Sequence, residues 1–517
     1  MKFTAKEISQ IIERGLDVKT IENQLSCFTN KNTNINLCAP AVVGNGIVQM
    51  NNKEVDFYAS FYKTSKDNIS IIKFVPASGA ASRMFKSLYL FLDNYNINKE
   101  TINSYVNRTK SIDLFLFFVT VEKLPFHDKV FAALKKNYPE YKQMTLDQRR
   151  LLFVEIMLAK EHFNFGEYPK GLLPFHNYRS YVSTAFEEHL IEASRYASVD
   201  GKASLHFTVS KDHHQQFVAH FETIKTIVES KTETQFEIDY SFQDPKTDTI
   251  SVGLDNTPFR LEGKLLFRPS GHGALISNLN AIDADLIFIK NIDNVLMQHR
   301  GDLMVFYKNV LAGLLLKIQK QAFDYALELD DSSINENRVN EIANFLSDQM
   351  NVFISKEFEK YAHHFKIEYL KSRIHRPIRV CGMVKNEGEP GGGPFWVKKE
   401  NGELSLQIVE MNQINTNSKH QKAISKSSTH FNPVDLVCGI RDYKGEKYDL
   451  EQFVDLSTHF VAVKNKYGKK LKTLERPGLW NGGMAGWNTI FVEVPLTTFT
   501  PVKSIVDLLK APHQLED

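Results

Sequence analysis

The sequence predicts an α/β fold built on a largely parallel sheet, and three observations lead there. Strand-like runs recur at 71–75, 205–209, 236–242 and 286–290, and those at 71–75 and 286–290 are short and apolar, as buried strands are. Helical patterns lie between them, at about 183–196 and 212–228, and alternation at this spacing is how crossover helices join parallel strands. Two longer stretches, 87–165 and 299–372, read as helical, while the chain beyond Pro377 is rich in strands, loops and glycine clusters at 388–393 and 482–486.

Taken in order, residues 4–25 read as one amphipathic helix, followed by a turn-rich segment to about Ser70. The strand at 71–75 runs into Pro76-Ala77-Ser78-Gly79-Ala80-Ala81-Ser82-Arg83-Met84-Phe85-Lys86, small residues that read as the opening of a helix. Thr145 and Gln148 have capping-box spacing ahead of an apolar run. A polar break near 330–333 interrupts the second helical stretch. The lysines between 464 and 472 surround Tyr467-Gly468 and read as a solvated hairpin, since aromatic residues do not interleave them.

A chain of 517 residues has room for two or three modest domains. Lysine plus arginine number 63 and aspartate plus glutamate 61, a net charge of +2 that excludes a strong whole-molecule field for nucleic acid or acidic membranes. An anionic ligand would therefore need locally concentrated positive charge. The four cysteines form no CxxC pair, which argues against a disulfide scaffold or a zinc ribbon. The first residues are charged and no apolar run is long enough to span a bilayer. The expectation is a cytoplasmic protein with neither nucleic acid nor membrane as partner.

Four segments have chemical content. The loop Ala77, Ser78, Gly79 and Ala80 presents backbone N–H groups without large side chains, suited to phosphate oxygens, and Arg83 adds a cation; close strand–helix packing also requires small residues. Lys170, between Pro169 and Gly171, is either an oriented charge or a solvated turn lysine. Gly271 and Gly273 free the backbone around His272, as close contact with a flat base or an ordinary turn would. Asp293, in Asn291-Ile292-Asp293-Asn294, follows a strand, where it suits either a Mg²⁺ or a turn. Two tryptophans, Trp480 and Trp487, flank a glycine-rich turn that suits stacking on a ligand or packing on bare backbone.

The order of these pieces resembles the nucleotide-sugar pyrophosphorylases, in the branch of UDP-glucose and UDP-N-acetylhexosamine pyrophosphorylases. Residues 76–84 resemble that family's LAGGxGTRM loop, Pro169-Lys170 its Pro-Lys turn, and Gly271-His272-Gly273 with Asp293-Asn294 the elements that follow. The most specific match is Phe499-Thr500-Pro501-Val502-Lys503-Ser504-Ile505-Val506-Asp507-Leu508-Leu509, against the family's Phe-x-Pro-Val-Lys-x-x-x-Asp-Leu-Leu. Gln407-Ile408-Val409-Glu410-Met411 resembles its Val-Glu-Tyr strand, and Phe431-Asn432 its Phe-Asn element. The chain departs from the pattern at Ala81, where the family has a glycine, and in the 86 or so residues between Arg83 and Lys170, which place 87–165 as an insertion in an outlying branch.

The resemblance implies a three-layer, mostly parallel sheet of the nucleotide-diphospho-sugar transferase type, glycosyltransferase-A-like and Rossmann-like. It divides the chain into an N-terminal segment (1–69), a nucleotide-binding core (70–86 and 166–298), the insertion (87–165), a helical segment (299–376) and a sugar-binding β-rich part (377–517). It implies condensation of a nucleoside triphosphate, UTP being expected, with a sugar 1-phosphate, using Mg²⁺, by a monomer or weak homo-oligomer. Arg83, Lys170 and Lys503 would be catalytic, and Ala77, Ser78, Gly79, Ala80, Gly271, His272 and Gly273 would hold the nucleotide. Glu410 and Asn432 would hold the sugar, and Asp293 the metal. The glycine-rich segment 388–394, near the sugar strand, is a candidate gating loop. Two alternatives stay open: a non-catalytic descendant that binds a nucleotide or sugar phosphate, and a transferase using a preformed nucleotide-sugar.

Overall fold

Where the sequence suggests one helix over 4–25, two form, Ala5–Glu13 and Val18–Cys27. Gly15, at φ +73°, breaks the run, and Asp17 caps the second helix by accepting from the Thr20 N–H at 2.6 Å. The computed structural model describes residues 3–29, 35–331, 333–388, 391–399, 401–466 and 469–515. Part of the candidate gating loop (389–390) and the tip of the lysine-rich hairpin (467–468) lie outside the described residues.

The chain divides into two units. The first comprises Met1–Phe74, Ser241–Ile289 and Phe306–Leu496; the second comprises Val75–Tyr240, Lys290–Val305 and Thr497–Asp517.

In the first unit the sheet is mixed. Strand Ile378–Lys385 runs parallel to Asn488–Glu493 and antiparallel to His430–Gly439, while Leu286–Lys290 runs parallel to Ile71–Pro76 with Leu286 opposite Ile71. Leu286–Lys290 is buried at every position, as expected of a central strand covered on both faces. Phe74, Ile287, Ile289, Leu436 and Phe491 join one core cluster. A hairpin of Gly392–Lys398 and Leu404–Glu410 pairs with Leu37–Pro40, and the lysine-rich segment forms the antiparallel hairpin Phe460–Lys466 and Lys469–Glu475. The helical stretch 299–372 resolves into Asp302–Leu329, Glu336–Asp348 and His363–Ile374.

In the second unit, five α-helices occupy most of 87–165: Lys86–Asn94, Ile102–Thr109, Ile112–Thr120, His127–Asn137 and Leu146–Leu158. Aromatic rings hold them together; Phe91 packs on Tyr95, Tyr105 and Phe118 at centroid distances of 4.8, 5.5 and 5.3 Å. Thr145 and Gln148 form the expected capping box.

Helix Ala185–Tyr196 is the hub of this unit, buried on almost every side although its sequence carries Glu187, Glu188 and Glu192. Each buried carboxylate needs a partner or a proton. Glu192 accepts from Lys290 Nζ at 2.8 and 3.0 Å. Glu188 accepts from the Tyr178 hydroxyl at 2.9 Å and lies 2.8 Å from His176 Nδ1. For Glu187, burial first and the neighbouring Glu188 second push the carboxyl up to about 7. Among the described residues no helix is long and apolar enough to cross a membrane, and the four cysteines are free.

Because the folded state binds this proton more tightly than the unfolded chain, Glu187 costs stability progressively as pH rises from about 4.5 to about 7. Glu187→Gln should therefore match the parent near pH 4 and exceed it by about 2–3 kcal/mol at pH 8. Urea denaturation at the two pH values measures this; an equal difference at both would show that Glu187 does not titrate in this range.

Candidate functional site

Small residues 77–81 do not open a helix. Ala77 N–H donates to Thr208 O at 2.8 Å, Ala81 N–H to Tyr168 O at 3.1 Å, and Lys170 N–H to Gly79 O at 3.1 Å, with Ala80 and Pro169 forming a β-bridge. Pairing with 168–170 draws the loop into an extended path, so the helix begins only at Lys86. Arg83 consequently sits on a 3₁₀ turn, Ala81–Arg83, and not on the first turn of the helix. Ser78, Gly79 and Ala80 are exposed, and a side chain placed at Gly79 would meet nothing within 4 Å. Packing therefore does not require the glycine, and the backbone is open on that side.

The same bridge delivers Lys170. A Cβ at Gly171 would lie 3.0 Å from Ile292 and 3.1 Å from Phe217, so any other residue would push those side chains by a few tenths of an ångström as the Pro-Lys turn approaches the segment that carries Asp293. Lys170 Nζ lies 2.7 Å from Asp293 Oδ2, and Lys503 Nζ donates to the same oxygen at 2.8 Å. Two bonds from the hub helix fix the approach to Asp293: the Lys290–Glu192 pair, and His189 Nε2, 3.2 Å from Ile292 O. Lys503 arrives because Asn294 and Pro501 form a bridge, Asn294 Oδ1 accepts from Thr500 N–H at 2.9 Å, and Val502 N–H donates to Asp293 O at 3.0 Å. Asp507 Oδ2 then accepts from the N–H groups of Lys503 and Ser504, at 2.8 and 2.7 Å, and fixes the turn.

Two ammonium groups thus share one carboxylate. Burial alone would raise the Asp293 pKa, but Lys170 and then Lys503 hold it below the usual carboxylate value. Burial lowers the Lys170 ammonium, against the opposing pull of Asp293, and Lys503 adds to the lowering. The Lys503 side chain is 61% exposed and that of Lys170 14%. Asp293 Oδ1 is buried without a hydrogen-bond partner. The cluster carries one surplus positive charge.

In the first unit, His272 and Glu410 belong to a second cluster. Gly271 is at φ +81°, and a side chain at Gly273 would collide with the Pro477 carbonyl. His272 stacks on Trp480 at 4.3 Å and 18°, and its Nδ1 accepts from the Leu479 N–H at 3.0 Å. Burial pulls this imidazole down to about 4, so at neutral pH it is uncharged with Nε2 as the donor. Asn481 Nδ2 donates to Ile408 O at 2.9 Å. Burial raises the nearby Glu410 carboxyl, while the Asn481 and Trp480 side chains oppose that rise. Asn432 Oδ1 is engaged by its own strand, accepting from Val434 N–H at 3.1 Å where Val434 stands at φ +59°.

The structure therefore brings Lys170, Asp293 and Lys503 into contact and ties residues 79–81 to the same turn. Gly271, His272, Gly273, Glu410 and Asn432 lie in the other unit, where Trp480 and Asn481 neighbour both His272 and Glu410. The sequence left Trp480 between ligand stacking and packing; its partner is His272. Asp507 and Glu192 were not anticipated as positioning residues, although Ser504 and Asp507 stand at capping-box spacing.

Asp293→Asn leaves the buried Lys170 ammonium without its counter-ion and should cost about 3–5 kcal/mol. Lys503→Ala removes a largely solvated charge and should cost less than about 1 kcal/mol. Chemical denaturation of the two variants distinguishes them; equal costs would contradict the charge arrangement.

A family model described as a domain of unknown function, DUF4301, matches residues 4–514. No curated protein matches the chain. Similar solved structures include a mutant UDP-glucose pyrophosphorylase from Leishmania major, 11% identical over 98% of this chain and 79% of that one, with a TM-score of 0.45. Another mutant of that enzyme, in complex with UDP-glucose, is 12% identical with the same coverages and a TM-score of 0.44. A UDP-glucose phosphorylase from Trypanosoma brucei is 11% identical over 97% of this chain and 77% of that one, at 0.45. Matched from residue 4 to residue 514, the chain belongs to the DUF4301 family.

Proposed function

We propose that the chain is a nucleotidyltransferase that condenses a nucleoside triphosphate, UTP in the first instance, with a sugar 1-phosphate to give a nucleotide-sugar and pyrophosphate. One observation supports this above the others: Lys170 and Lys503, remote in sequence, both reach Asp293 Oδ2, at 2.7 and 2.8 Å, with the open small-residue loop bonded to the Lys170 turn.

The reaction asks for what such a cluster supplies. A sugar 1-phosphate oxygen attacks the α-phosphorus of the triphosphate, and pyrophosphate leaves. The nucleophile is already an anion, so no general base is needed; two polyanions must be aligned and their charges offset. In this reading Lys170 engages the α-phosphate or the attacking phosphate, Lys503 a phosphate from the other side, and Arg83 the departing pyrophosphate. The N–H groups of Ser78, Gly79 and Ala80 line the triphosphate, that of Ala77 being held instead by Thr208 O.

Asp293 Oδ1, buried and without a partner, fits a hard cation that takes its remaining oxygens from phosphate. Among the described residues no group of three or more His, Cys, Asp or Glu is placed to hold a metal ion; in this reading a Mg²⁺ arrives with the triphosphate. When bound, it would offset phosphate charge. The roles assigned to the other unit are recognition: Gly271, His272 and Gly273 for the nucleotide, Glu410 and Asn432 for sugar hydroxyls. The core under this reading is a three-layer nucleotide-diphospho-sugar transferase sheet.

Pyrophosphate release, measured with Mg²⁺, each triphosphate and a panel of sugar 1-phosphates, tests the function. The expected result is turnover with UTP and at least one sugar, falling about 10²-fold or more in Lys170→Ala and Lys503→Ala. Glu410→Gln should raise the sugar-phosphate KM more than the UTP KM. Silence across the panel together with tight triphosphate binding would replace the enzyme by a nucleotide sensor.

A further inference from the structure

In the first unit a cavity of about 40 Å³ lies at the amino-terminal ends of strands Ile378–Lys385 and Asn488–Glu493. Ligand sites of parallel sheets collect at the opposite, carboxyl ends. No residue assigned above to nucleotide, sugar or metal lines it.

Its charge is unbalanced. Among the described residues, Arg373, Arg376, Lys399 and Glu403 line the cavity, three cations against one carboxylate. Arg373 is ion-paired with Glu403. Arg376 Nε donates to Ser372 O at 3.0 Å, and among the described residues neither Arg376 nor Lys399 has a carboxylate at ion-pair distance. Burial lowers the pKa of both, and a neighbouring arginine adds to each effect.

Its hydrogen-bond inventory is unbalanced in the same direction. Arg373 Nε and Trp487 Nε1 are buried donors without partners, and Trp487 is 4% exposed. Behind the lining residue Thr489 lies Arg379, wholly buried, donating from Nε to Thr489 Oγ1 at 2.9 Å and from Nη1 to Trp480 O at 2.6 Å, with Nη2 unpartnered. Surplus donors beside surplus positive charge call for an acceptor-only anion. A water needs about 10–15 Å³ of such space, so the volume suits a few atoms, such as one phosphoryl group, and does not enclose a whole nucleotide or sugar.

We infer that this cavity is a binding site for one oxyanion of the phosphate class, held between Arg373, Arg376 and Lys399. The ion links the end of helix His363–Ile374 to the turn of the hairpin Gly392–Lys398 and Leu404–Glu410, and so stabilises the first unit when bound. Inorganic phosphate and the phosphoryl end of an organic phosphate present the same chemistry to it.

Thermal unfolding of the full chain, in potassium phosphate against potassium chloride at matched ionic strength, tests the site. The expected result is a phosphate-specific rise in Tm that is lost in Arg376→Ala and in Lys399→Gln, with Tm in chloride unchanged for at least one of the two. Calorimetric titration should show at least a tenfold loss of phosphate affinity in that folded variant and none in Lys503→Ala. Tighter binding of glycerol 3-phosphate than of inorganic phosphate assigns an organic phosphate, and the reverse assigns the free ion. A parent that does not respond, a response kept in both variants, or a response abolished by Lys503→Ala would overturn the inference.

Discussion

A buried carboxylate shared by two ammonium groups is the constraint around which the second unit is organised. The desolvation of Asp293 is offset by Lys170 first and by the more solvated Lys503 second, both of which reach Oδ2. Each lysine needs its own scaffold to arrive there. Lys170 depends on the bridge between Ala80 and Pro169, with the bare Gly171 easing its fit against Ile292 and Phe217; Lys503 depends on the bridge between Asn294 and Pro501 and on Asp507. The hub helix Ala185–Tyr196 completes the frame by gripping Lys290 and Ile292, the residues just before Asp293. Of its buried glutamates Glu192 serves that grip, while Glu188 is held by Tyr178 and His176 and Glu187 is pushed toward its protonated form by burial.

The charge bookkeeping of the whole chain fits this local design. A net charge of +2 gives no long-range pull on a polyanion, so under the proposed function recognition rests on a few fixed cations in partly desolvated surroundings. Lys170 is largely buried and Lys503 largely solvated, so in that proposal the first is a rigid charge and the second one that can follow a phosphate group. His272, held neutral against Trp480, offers hydrogen bonding and a flat surface without adding charge in the first unit.

Much of this was legible in the sequence where the signal is local. The strand at 286–290 was read with its observed bounds because it is short, wholly apolar up to Lys290 and buried on both faces. The Thr145–Gln148 cap followed from side-chain chemistry three residues apart. The motif around Lys503 led to a residue that meets Lys170 and Asp293. What the sequence concealed was pairing at a distance. Residues 77–83 have helix-compatible composition, and only their bonds to 168–170 keep them extended and put Arg83 on a 3₁₀ turn. Gly15 breaks the first helix through its left-handed backbone. Trp480 could not be assigned to His272 before the fold set residues 272 and 480 face to face.

Titration of MgUTP against the parent chain and the Lys170→Ala/Lys503→Ala double variant tests most directly whether the lysines on Asp293 form a phosphate-reading site. The account predicts binding by the parent and at least a tenfold loss of affinity in a double variant that still unfolds cooperatively. Equal affinity in the two proteins would contradict it.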